Sequence, residues 1–98
     1  MTYRNRKLLN LAKISPKCFC CNAENDGTVV AAHANLQGLG KGMGHKAADW
    51  AIAFMCSGCH ASYDRSSGSP HQLTHEDWAL ASVKSIGWAI EAHPEVFQ

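Results

Sequence analysis

The apolar positions of this chain change spacing along its length, and each spacing predicts an element. Over residues 74–92, Trp78, Ala81, Ser82, Ile86, Ala89 and Ile90 fall near one face at helical spacing. Thr74 suits an N-cap, and Glu76 and Asp77 suit the first turn, where the helix dipole favours acids. A helix over 74–92 is therefore expected, ended by His93-Pro94, with Trp78 and Trp88 as core anchors. Residues 28–33, TVVAAH, start β-branched after the turn signal Asn25-Asp26-Gly27 and predict a strand. The short apolar run 50–55, WAIAFM, predicts a second strand. Residues 57–65, SGCHASYDR, predict a helix with Ser57 near its N-cap. Leu8, Leu9, Leu11 and Ala12 among charges predict a short helix within 3–14, stopped at Ser15-Pro16 because a residue before proline avoids the α region.

Ninety-eight residues suit one domain over 1–98, in three parts. These are a basic N-terminal helix or arm over 1–17, a core over 18–68 that holds every cysteine, and the helix over 74–92. Hydrophobic residues are 46% and charged residues 17% of the chain, which excludes an intrinsically disordered polypeptide. No apolar run is long enough for a membrane helix, and the basic start lacks the apolar stretch of a secretory signal. Without an export signal, the five cysteines are expected to be metal ligands rather than disulfides.

The net charge of +1 hides an asymmetry. Residues 1–17 carry Arg4, Arg6, Lys7, Lys13 and Lys17 and no acid; the rest carries four basic and eight acidic side chains. A basic arm on a faintly acidic body suggests a polyanion partner, although a solvated helix face gives the same pattern.

Cys18 and Cys21 form one C-x2-C pair, and Cys56 and Cys59 form a second. Two such turns can aim four thiolates at one tetrahedral ion, with sulfur about 2.3 Å from zinc. A structural zinc would also add folding energy that a chain this short needs. The other reading is reduced cysteines packed in a small core. Cys20 is left over, since it and Cys21 would not both reach one ion comfortably. His60 and Asp64 lie four residues apart, on one face of the expected helix. Imidazole and carboxylate there could grip Mg²⁺, Mn²⁺, Ni²⁺ or Zn²⁺. Equally, Asp64 could pair with Arg65 while His60 packs on the cysteine turn. Residues 36–48 hold a glycine-rich loop in which Lys41, His45 and Lys46 could meet a phosphate; such loops also serve as plain connectors. His71, His75 and His93 are expected to face solvent.

Taken together, Ala31-Ala32-His33-Ala34-Asn35, the loop Gly40 to Gly44, Lys46, Asp49 and Cys56-x-x-Cys59-His60-x-x-x-Asp64 resemble the HNH, or ββα-metal (His-Me finger), endonucleases. The likeness is closer to their zinc-bound YbcO-like phage and prophage group, which Cys18 and Cys21 also match; it covers most of the chain from Cys18 to Asp64 and extends weakly into the basic stretch over residues 3–9. It implies an α+β fold with a small zinc-stabilised ββα-metal core, flanked by N- and C-terminal helices. It also implies metal-dependent hydrolysis of phosphodiester bonds in DNA inside a bacterial cytoplasm. His33 would be the general base, and His60 and Asp64 would hold the catalytic divalent ion. Two positions depart from the family. Ala32 stands where many members have a metal-binding side chain before the base, and Ala51 where an asparagine pins the base loop. Asp49 is expected to take over one of these roles, assisted by Asn35. A double-strand break from one small site needs two copies, so a homodimer fits this reading. The alternatives are a non-catalytic zinc-bound DNA-binding module with a degenerate site, and a zinc domain for protein interaction.

Overall fold

The computed structural model describes residues 3–34, 47–64 and 73–98, the side chain of Asp64 excepted. The predicted contacts of Asn35, Lys41, His45, Lys46, Arg65 and His71 lie outside the described residues. Among those described, the chain forms an α+β fold with one two-stranded sheet and three α-helices. None of the helices is long and apolar enough to cross a membrane.

Helix α1, Arg6–Asn10, is shorter than the leucine pattern suggests and continues as a 3-10 turn, Leu11–Ile14. Asn5 caps it, its side chain accepting the Leu8 N–H at 3.0 Å. Strand β1, Val30–His33, begins two residues later than expected. Asp26 Oδ1 accepts both the N–H and the hydroxyl of Thr28, at 3.1 and 2.6 Å. That side-chain turn holds the backbone out of the ladder until Val30. Strand β2, Ile52–Met55, pairs antiparallel with β1, with His33 opposite Ile52 and Val30 opposite Met55. Trp50 is not in the strand: Ala51 N–H donates to Ala48 O at 2.9 Å and closes a turn that leaves the indole half exposed.

All four residues of β2 are buried, so both faces of this strand are covered, and its outer edge is covered as well. Ser82 donates to Ile52 O at 2.6 Å, Phe54 N–H donates to Ser85 Oγ at 2.9 Å, and Phe19 N–H donates to Phe54 O at 2.9 Å. These outer-edge groups of β2 are thus satisfied inside the protein.

Two serines do this work from helix α3, His75–Ala92. Its N-terminus carries the expected cap at Thr74, with Asp77 returning a hydrogen bond to form a capping box. Trp78, Ala81, Ser82, Ser85 and Ala89 form its buried stripe, and Trp78 Nε1 donates to Ala32 O at 2.9 Å. Ile90, expected in the stripe, points outward at 54% exposure, because the stripe is centred on Ser85. Trp88 packs against Phe19 and Phe54 at the margin of the core. His93 closes α3 with its ring 5.2 Å from that of Trp88, so it is half-buried rather than solvent-facing. His75 is exposed, but its Nδ1 lies 3.0 Å from the Tyr63 hydroxyl. A 3-10 turn, Pro94–Phe97, follows. Helix α2, Ser57–Asp64, starts at the expected Ser57 and contacts both strands.

Candidate metal centre and histidine–aspartate site

Cys18 and Cys21 sit on a tight turn. Cys18 N–H donates to Ala23 O and Asn22 N–H donates to Cys18 O, both at 2.9 Å. Asn22 takes a positive φ of 67°, a conformation asparagine tolerates better than most residues. Cys21 N–H then points at Cys18 Sγ, 3.4 Å away. Cys56 follows β2 directly and Cys59 lies in the first turn of α2, so the strand-to-helix junction presents the second pair.

The four ligand atoms of Cys18, Cys21, Cys56 and Cys59 lie within 4.8 Å of one another, and Cys21 Sγ is 3.9 Å from Cys56 Sγ. Tetrahedral zinc–sulfur bonds place sulfurs about 3.8 Å apart. These thiols can hold a structural metal ion such as zinc. Burial pushes the Cys18 thiol up, but backbone hydrogen bonds from Cys21, Cys56 and Cys20 outweigh it and bring it down to about 7. Burial and the neighbouring thiols push Cys59 up. Crowding like charges this way is unfavourable until a cation sits among them. Cys20 lies outside the four-thiol group and packs against the core, half-buried, where burial pushes its thiol up.

The second cluster is centred on Asp49, a buried carboxylate. Its Oδ1 is 2.8 Å from His33 Nε2 and 3.1 Å from Arg4 Nη1, and its Oδ2 accepts the Asn5 N–H at 2.7 Å. Asp49 N–H donates to Tyr3 O at 3.0 Å, and Arg4 Nη1 also donates to Ala47 O at 2.7 Å. Burial alone would raise the carboxyl, but hydrogen bonds from His33, Asn5 and Arg4 hold it below the usual aspartate range. An ionised carboxylate only accepts hydrogen bonds, so His33 Nε2 donates in this contact and, in the neutral ring, Nδ1 is the nitrogen able to accept a proton. The His33 side chain is 16% exposed, which ties it down without closing it to water.

Other expected site residues are placed as follows. His60 is half-buried on α2, its N–H donating to Cys56 O at 2.9 Å, and Asp64 ends the same helix one turn later. Among the described residues the four thiols are the one group of three or more close ligands. Ala32 and Ala51 are both buried in the core. Arg4, expected on the basic arm, instead reaches Asp49; sequence reading missed this link and that of Asn5. A signal was present. Asp49 is the lone acid between Asp26 and Asp64 and stands among alanines and apolar residues, where a buried charge demands partners. No family model matches the chain, and no curated protein or solved structure matches it.

Proposed function

We propose that this protein is a metal-dependent endonuclease that hydrolyses phosphodiester bonds in DNA, of the zinc-bound HNH type found in phages and prophages. The observation that carries the reading is the 2.8 Å contact between His33 and the buried Asp49. It stands at the end of the first strand in a strand–strand–helix succession whose helix bears His60 and Asp64. His33 Nδ1 takes a proton from the attacking water, and Asp49 fixes the tautomer and stabilises the imidazolium that results. His60 and Asp64 would hold a divalent ion, whose charge stabilises the pentavalent phosphorus and the departing 3′-oxygen when bound. The four thiols would hold a structural zinc, whose binding would tie the turn at Cys18 to the start of α2.

A second reading is favoured by one observation. Ala32 and Ala51, at 0% and 2% exposure, are core residues where the resembled family places polar site residues. A zinc-bound module that grips DNA without cutting it would have such a site. Incubating supercoiled plasmid with the zinc-loaded protein, with and without added Mg²⁺ or Mn²⁺, separates the two. Open-circle product that depends on the added ion supports the nuclease. Salt-sensitive DNA binding with no product in either ion supports the module.

A further inference from the structure

Residues 3–7 and 96–98 line an open cavity of about 360 Å³. Its size falls in the range of roughly 300–1,000 Å³ usual for small-ligand sites. Tyr3, Arg4, Arg6, Lys7 and Phe97 line it with Asn5, Val96 and Gln98, so three cations and two aromatic rings share one lining that holds no acidic side chain. Both residues are partly exposed, Tyr3 at 42% and Phe97 at 38%, which leaves apolar ring area open to a ligand. Among the described residues neither Arg6 nor Lys7 has an ion-pair partner.

The walls are braced against each other. Asn5 Nδ2 donates to the Tyr3 hydroxyl at 2.8 Å and to Val96 O at 2.7 Å, which joins the N-terminal wall to the C-terminal one. The cavity also adjoins the histidine site, because Arg4 lines it and at the same time donates to Asp49, the partner of His33. Partly exposed aromatic rings beside cations suit a strand whose bases are unstacked, since a ring can stack on a base while the cations take the phosphates. A duplex keeps its bases covered and would use the cations alone.

We propose that this cavity is a subsite for an unpaired nucleotide strand that runs to the scissile phosphate, with Phe97 and Tyr3 stacking on bases and Arg6 and Lys7 holding phosphates. The proposal rests on the nuclease reading for its place beside the cut. It narrows the substrate to DNA that is single-stranded on one side of the cut.

The test is equilibrium binding, read without cleavage, so that failure of the subsite and failure of the nuclease reading separate. Fluorescence anisotropy is measured with a labelled oligothymidine and with a labelled duplex of equal length, for the zinc-loaded full chain without other divalent ions. Phe97→Ala should weaken oligothymidine binding about fivefold or more and leave duplex binding within about twofold. Phe97→Tyr should restore the wild-type value, and circular dichroism should show all variants folded. The Arg6→Ala, Lys7→Ala double variant should weaken both ligands and flatten the salt dependence by about two phosphate contacts. If Phe97→Ala binds oligothymidine as wild type does, or loses duplex binding equally, the subsite does not exist. If these binding results hold but no metal yields a cut plasmid, the subsite stands and the nuclease reading falls.

Discussion

His33 Nε2 and Asp49 Oδ1 meet at 2.8 Å across 16 positions of sequence, one at the end of β1 and the other in the turn that leads into β2. The carboxylate fixes which ring nitrogen keeps its proton. Asp49→Asn removes the charge that steadies the imidazolium while preserving shape. The expected result is a fall in plasmid-nicking rate of about a hundredfold or more, with little change in DNA affinity. Initial rates over a range of DNA concentrations measure this; a loss seen wholly in KM would move Asp49 out of the chemistry.

The same carboxylate carries a pH signature. Its folded-state pKa lies below the ordinary value of about 3.9, so its stabilisation is fully present above that value and disappears as pH falls through the lower, folded one. Urea unfolding of wild type and Asp49→Asn should therefore differ most at neutral pH and converge in acid. A difference that stays constant from pH 7 down to pH 3 contradicts the assigned hydrogen bonds.

The four thiols make a separate prediction. Cys56→Ser should unfold the domain or cost several kcal/mol, because zinc binding energy is folding energy in small domains. Native mass spectrometry should find one zinc per wild-type chain and none in the variant. Cys20→Ser should keep the metal, since Cys20 lies outside the four-thiol group. Retained zinc and unchanged stability in Cys56→Ser would remove the centre from the account.

Ser85 tests the covering of the sheet edge. Its hydroxyl donates to Ala81 O and accepts from Phe54 N–H at a fully buried position. Ser85→Ala leaves that N–H without a partner and should cost about 1–3 kcal/mol in chemical denaturation. An effect near zero would mean that the edge is satisfied some other way.

How far the sequence revealed this structure depends on whether a feature was local. Helix α3 was legible because periodicity, Thr74 and the first-turn acids agree within a few residues. The cysteine pairs were legible because their spacing is their chemistry. Strand β2 was legible as an apolar run, since burial on both faces removes any alternation. The late start of β1 was not, because it depends on how the Asp26 side chain bonds to Thr28. Ser85 was overlooked because a buried serine is invisible to a hydrophobic pattern until a strand edge lies opposite it. Arg4 and Asn5 reach Asp49 across 45 and 44 positions, a pairing that tertiary packing alone creates. The resemblance pointed to His33 and Asp49 separately. It reached weakly into residues 3–9 but gave no reason to expect Arg4 and Asn5 on Asp49.

The most direct test is the nicking rate of His33→Ala beside that of wild type, in Mn²⁺, with zinc content and melting temperature measured on the same samples. The expected result is a loss of about a hundredfold or more in rate, with one zinc retained and the fold intact. A folded, zinc-loaded His33→Ala that cuts as fast as wild type would contradict the assignment of the base and the mechanism built on it.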